Sequence, residues 1–169
     1  MTRFGNRAPD FVFTFRESQR ERFRSGELAP EWFRRYPELF DKLDLKLARN
    51  QPNYHFVEWL GAILLFESTG YRSLVESYVA STHPEKRREL QRIVGTDVAD
   101  WMIKNDAGLP DLFVYEERTK DWYLCEVKGP RDKIGKRQEE CYTEFERFIR
   151  KSGIAGVRLR LMELKRIKL

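Results

Sequence analysis

The sequence is poor in the residues that most metal sites and crosslinks require. Its 169 positions include two histidines, His55 and His83, and two cysteines, Cys125 and Cys141. The cysteines are far apart and form no Cys-x-x-Cys pair, which argues against structural zinc and fits a reducing compartment. Two histidines are too few for most zinc-hydrolase or histidine-based nuclease sites. No apolar run approaches the roughly 18 residues that span a bilayer, and the first residues carry no signal-peptide pattern. The expected setting is therefore intracellular, cytoplasmic or nucleoid/nuclear according to host, with no membrane partner and no secretion. Internal repeats, low-complexity segments and long linkers are also missing, so nothing forces a division into separate domains.

Charge is what the chain has in quantity. Charged residues make up 35% and hydrophobic residues 41%, with a net charge of +5. That balance predicts a folded, well-solvated globule. The positive excess concentrates late: beyond Pro130 there are twelve basic residues and six acidic ones. A basic face favours a polyanion such as nucleic acid, and a solvated surface is the plainer alternative.

Alternation of Phe11, Phe13 and Phe15 predicts a short strand. A helical pattern opens at Pro30 and runs through Trp32, Phe33, Tyr36, Leu39, Phe40, Leu43 and Leu47, interrupted or kinked at Pro37. These aromatics are expected to pack on the main body, with a dimer surface or a DNA-facing wedge as alternatives. From Tyr54 to Ser68 the chain is apolar nearly all round, predicting a central buried helix that stops at Gly70. Glu58 lies inside it, and a buried carboxylate needs a partner or a metal. Glu67 is nine residues on, half a rotation away, so it cannot serve the same site. Tyr71 to Val79 and Pro84 to Ile93 read as further helices, and Thr96 or Asp97 could cap another.

The stretch from Asp111 to Gly129 carries the chemistry. Asp111–Glu117 and Trp122–Gly129 read as two strands joined by a turn around Thr119 and Lys120. With paired numbers summing to 239, Asp111 faces Lys128 and Phe113 faces Glu126. Period-two alternation then sends Asp111, Glu126 and Lys128 to one face, while Cys125 and Val127 enter the core. Two carboxylates, with the Val127 carbonyl as a further oxygen, suit Mg2+ (or Mn2+). Lys128 could orient a water or stabilise charge on phosphorus. A salt-bridge cluster at a hairpin edge is the structural alternative. Similar fragments elsewhere lack this context: Asp44-Leu45-Lys46 lies in a helical pattern, Glu163-Leu164-Lys165 has no preceding Pro-Asp strand, and Pro9-Asp10 has no following acid-x-Lys strand.

"GLPDLFVY" followed by "CEVKGPRDKIGKRQ" resembles the VRR-NUC (virus-type replication-repair nuclease) branch of the PD-(D/E)xK nucleases. Pro110-Asp111, Glu126-Val127-Lys128 and Gly129 to Asp132 follow that family's motif in order and spacing, and Glu58 with Gly70-Tyr71 resembles its upstream helix. The segment between Tyr71 and Gly108 looks most like the helical insert of Fanconi-associated nucleases. Gln138 and Tyr142, four apart on one helical face, are similar to a Gln-x-x-x-Tyr motif bordering the site in RecB-like relatives.

The resemblance implies an α/β fold with a restriction-endonuclease-like PD-(D/E)xK core: a mixed sheet flanked by helices, with a helical insert and an N-terminal extension. Residues 1–53 would be an accessory region packed on a nuclease domain of residues 54–169. The implied activity is Mg2+-dependent (or Mn2+-dependent) hydrolysis of phosphodiesters, in branched or flapped DNA during repair, recombination or replication. Glu58, Asp111, Glu126, Lys128 and Gln138 would be catalytic, with Glu58, Asp111, Glu126 and the Val127 carbonyl holding the metal. Arg131, Lys133, Lys136, Arg137 and Tyr142 would contact nucleic acid. Small stand-alone members suggest a homodimer, Fanconi-associated ones a monomer. A nuclease-like fold that has lost activity and only binds is the alternative from another class.

Overall fold

The computed structural model describes residues 3–168. Its strands are β1 (Phe11–Arg16), β2 (Arg72–Val75), β3 (Leu112–Tyr115), β4 (Trp122–Lys128) and β5 (Leu159–Ile167). They form one mixed sheet in the order β1-β5-β4-β3-β2. β5 runs parallel to both β1 and β4, and β2-β3-β4 are antiparallel neighbours. Helices α1 (Glu17–Arg24), α2 (Leu28–Arg35), α3 (Lys42–Asn50), α4 (Phe56–Thr69), α5 (Pro84–Val94), α6 (Thr96–Lys104) and α7 (Lys136–Lys151) surround it. The protein is thus an α/β fold with a mixed sheet flanked by helices, as the family resemblance implies.

Alternation along β4 divides two cores. Cys125 and Val127 join Trp59, Ile63, Phe23, Phe40 and Met162 on one face. Leu124 joins Phe113, Leu90, Met102 and Phe145 on the other. Burial of each large apolar side chain contributes about 1.5–3 kcal/mol, so both faces of the central strands are heavily stabilised. α4 packs against β4 at Gly61, where an added Cβ would come within 3.1 Å of Val127 Cγ2 and Met162 Sδ. That close approach fixes the depth of Glu58, one turn earlier. The helix ends at Gly70 with φ +78°, a left-handed stop that other residues adopt with strain.

Several local expectations need correction. Tyr71–Val79 is not helical. Arg72–Val75 is strand β2, with Ser73 and Val75 buried and their neighbours half-buried, and four residues are too short a window to separate the periods. The interruption expected at Pro37 is present, a break over residues 36–41 between α2 and α3, but the first of these helices opens at Leu28, not Pro30. Gly95, not Thr96 or Asp97, takes the capping position of α6. The strand expected over Val157 to Leu164 to extend the sheet is present as β5 but begins at Leu159, leaving Val157 exposed.

The hairpin register is also two residues away from the expected one. Leu112 pairs with Cys125 and Phe113 with Leu124, so paired numbers sum to 237. The loop is closed between Glu116 and Asp121: the Glu116 N–H donates to the Asp121 carbonyl at 2.8 Å, and the Lys120 N–H to the Glu116 carbonyl at 3.0 Å. A left-handed Lys120, φ 62°, completes the turn. A shift of two residues preserves the face of every side chain. It places Asp111 level with Glu126 instead of Lys128.

Candidate active site

Asp111 sits just before β3, where the ladder with β4 has ended. Its Oδ2 accepts from the Val127 N–H at 2.9 Å, so the carboxylate continues the sheet's hydrogen bonding past the last strand residue. The Tyr78 hydroxyl donates to the Pro110 carbonyl at 2.7 Å and fixes the approach of this segment. Glu58 reaches the same place from the first turn of α4. One oxygen each from Glu58, Asp111 and Glu76 lie within 4.8 Å of one another.

Glu76 is the member that sequence reasoning misses, because the segment around it reads as helix. It follows β2 in a left-handed conformation, φ 51°. Its N–H donates to the Asp111 carbonyl at 2.8 Å. Lys86 of α5 pins the same turn, its Nζ donating to the Val75 carbonyl at 2.5 Å and the Glu76 carbonyl at 3.3 Å. His55 Nδ1 lies 2.5 Å from Glu76 Oε2, and His55 Nε2 lies 2.6 Å from Gln51 Oε1. A strand ending in an acid just after Gly-aromatic is the available signal for Glu76; His55 has none.

Glu126 is not one of the three clustered acids. It is buried and fully engaged: Lys128 Nζ lies 2.7 Å from Oε1, Gln138 Nε2 donates to Oε1 at 3.0 Å, and the Tyr142 hydroxyl donates to Oε2 at 2.6 Å. Gln138 also accepts from the Gly135 N–H at 3.1 Å, tying the start of α7 to the site. Tyr142, expected at the nucleic-acid contact, is completely buried, with its hydroxyl turned to Glu126. Glu67 lies away from the site, as its rotation on α4 predicts, and accepts from the Tyr36 hydroxyl.

Electrostatics set the clustered acids apart. Burial, then repulsion from Glu76, pushes Glu58 up to about 7. Burial, then Glu126 and Glu58, holds Asp111 well above the usual carboxylate range. Glu58 Oε2 is buried without a hydrogen-bond partner. An orphaned buried oxygen among like charges is costly, and a cation is what would satisfy it. The all-oxygen donors fit a hard divalent ion such as Mg2+ or Mn2+.

Two clefts meet at this point. The larger, about 1220 Å3, is lined by Lys128, Arg131, Lys133 and Lys136 and continues to Lys165 and Lys168. The smaller, about 580 Å3, contains Glu58, Glu76, His55 and Tyr54. Gly129, Pro130 and Asp132 line both. Arg137 is exposed but does not line either cleft.

The VRR-NUC domain model matches residues 62–161. The chain belongs to the VRR-NUC family. Membership implies nuclease activity on DNA and a need for a divalent metal. The segment matched to the VRR-NUC domain includes Glu76, Asp111, Glu126, Lys128, Gln138 and Tyr142; His55 and Glu58 lie before it. No curated protein matches the chain. No helix among the described residues is long and apolar enough to cross a membrane.

Proposed function

We propose that this VRR-NUC protein is a PD-(D/E)xK-type, Mg2+-dependent (or Mn2+-dependent) DNA phosphodiesterase. The observation that carries the reading is a carboxylate cluster with an orphaned buried oxygen, in a cleft that adjoins a larger one rich in lysine and arginine at Gly129, Pro130 and Asp132. Glu58, Asp111 and Glu126, with the Val127 carbonyl, would hold the metal as the family resemblance implies, and Glu76 adds a carboxylate at the same point. The bound metal would supply Lewis-acid polarisation and charge neutralisation at the scissile phosphate.

The rest of the chemistry belongs to the chain. Lys128, which lines the larger cleft, orients the attacking water and stabilises negative charge gathering on the phosphoryl oxygens. Gln138 and Tyr142 keep Glu126 in one rotamer, so the carboxylate does not reorganise as the phosphorus–oxygen bond breaks. Arg131, Lys133 and Lys136 bind backbone phosphates along the cleft, and Arg137 adds charge on the approach. Residues 1–53 act as an accessory region on the nuclease domain of residues 54–169, to whose sheet they lend β1.

Branched or flapped DNA is the proposed substrate, in repair, recombination or replication, and the two free cysteines suit an intracellular setting. The test is a panel of labelled flap, four-way, linear and RNA substrates with Mg2+, Mn2+ or chelator. Metal-dependent cleavage of DNA is expected, lost by more than about 100-fold in Lys128→Ala while DNA binding persists. Wild-type turnover by that variant would refute the assignment, and binding without metal-dependent products would favour an inactive binding module. Sedimentation of the same protein, alone and with DNA, tests the homodimer.

A further inference from the structure

The two clefts differ in one respect that their charge does not explain. Among the described residues the larger has no aromatic side chain in its wall, so it offers a nucleic acid no aromatic ring to stack on. The smaller carries Tyr54, which is 68% exposed, the most of any large hydrophobic residue among those described. Tyr54 is fixed at its backbone and beside His55. Its N–H donates to the Gln51 carbonyl at 3.0 Å, and His55 meets the ring at 63° with centroids 6.4 Å apart. The exposed residue lines the cleft.

Arginines stand around it. Arg20 and Arg24 line the same cleft. Arg20 is fixed by its own packing: its guanidinium lies 4.9 Å from the Phe15 ring centroid and 5.7 Å from that of Phe56. Arg20 Nη2 is 3.9 Å from where a Cβ on Gly129 would sit, beside Lys128. A fixed guanidinium at the boundary between the clefts can take a phosphate passing from one to the other. Away from the metal position, the carboxylates in this cleft, Glu58, Glu76 and Asp132, oppose a further phosphate, so the group set against Tyr54 is the uncharged base.

We propose that the smaller cleft is a site for one unpaired nucleotide, its base stacked on Tyr54 and its phosphate held by Arg20 and Arg24. The volume of about 580 Å3 is of the size that accepts a small organic ligand. Stacking tolerates any base, because every base has a π-face. The larger cleft then holds paired backbone, and the cut falls where the two environments meet, at Gly129 and Pro130. This rests on the nuclease reading for the position of the cut but not for the binding itself. Tyr54, Arg20 and Arg24 all precede the matched VRR-NUC segment.

The test uses the whole chain in a Lys128→Ala background, which removes cleavage from the readout. Oligonucleotide duplexes carry 2-aminopurine in an unpaired end or within blunt paired DNA. Quenching of the unpaired fluorophore is expected with Tyr54 and with Tyr54→Phe, and its loss with Tyr54→Ala. Affinity for the unpaired-end duplex should fall about tenfold in Tyr54→Ala, with blunt-duplex affinity unmoved. Equal quenching and affinity for Tyr54→Ala would overturn the site. If the otherwise unaltered protein shows no metal-dependent hydrolysis while Tyr54-dependent quenching persists, the nuclease reading fails and the stacking site stands. Hydrolysis without any Tyr54 dependence means the converse: the nuclease reading stands and the stacking site fails.

Discussion

Two groups of three acidic or imidazole side chains lie on either side of the Glu76 turn, close enough to gather a cation. Asp41, Asp44 and His83 form one, and Glu58, Glu76 and Asp111 the other. In the first, the cation is already supplied: Lys86 Nζ lies 2.5 Å from Asp44 Oδ1, with both side chains buried. The remaining Asp44 oxygen accepts from the Asp41 N–H at 2.9 Å, and Asp41 accepts in return from the Asp44 N–H at 2.8 Å. In the second group no lysine or arginine enters among the described residues, and Glu58 keeps an oxygen with no partner. Similar residue types at similar spacing thus serve different ends. In the first group a lysine meets the buried carboxylate and ties α3 to α5, although His83 Nε2 is left without a partner. In the second the unpartnered atom is a carboxylate oxygen among like charges and stands open to a cation. The two are coupled, because Lys86 also grips the carbonyl of Glu76.

The comparison predicts opposite signs for the same kind of substitution. The largest effect is expected at the saturated pair: Asp44→Asn leaves Lys86 buried without its partner and should lower stability by about 3–5 kcal/mol. Asp44→Asn with Lys86→Met should recover most of that loss in denaturant unfolding. A double variant as unstable as the single one would show that the pair is not the cause. At the open group, Glu58→Gln removes a buried like charge and should instead raise the stability of the metal-free protein by about 1–3 kcal/mol at pH 8.

A second contrast is in pH. Burial and the neighbouring carboxylates raise Glu58 to about 7, so the folded protein holds a proton that the unfolded chain releases at lower pH. Between the ordinary carboxylate range and 7, the native state binds more protons than the unfolded one. Metal-free stability therefore falls as pH rises through that window, and stays low above it. In Glu58→Gln the part between pH 6 and 8 should vanish in thermal melts recorded across that range. Persistence of the full slope would place the titration elsewhere.

How much of this is readable in the sequence depends on the residue. Glu58, Asp111, Glu126 and Lys128 stand out because each is an ionisable group interrupting an apolar period, and the two-residue register shift leaves their faces unchanged. Alternation along β4 likewise announces which side chains enter each core. Glu76 is hidden for a physical reason: its placement depends on a left-handed turn held by a lysine ten residues on, and no local pattern encodes that contact. Tyr142 is visible only as a helix-face partner of Gln138, and nothing in a four-residue spacing tells whether that face meets water or a buried strand. β1 is legible as a strand, but its parallel seat beside β5 involves partners some 150 residues away.

The smallest effect expected is at that buried tyrosine. Tyr142→Phe keeps the ring against Phe4 and removes only the hydroxyl that holds Glu126. A loss of roughly 0.5–1.5 kcal/mol of positioning should appear as a several-fold drop in kcat with KM for DNA nearly constant. A change confined to KM would return Tyr142 to the nucleic-acid side of the site.

The direct test of the open cluster is a calorimetric titration of Mn2+ into the protein and into the Glu58→Gln/Asp111→Asn double variant at pH 8. Saturable binding to the first and none to the second is the expected result. Binding of equal strength to both would contradict the assignment of these carboxylates to the metal.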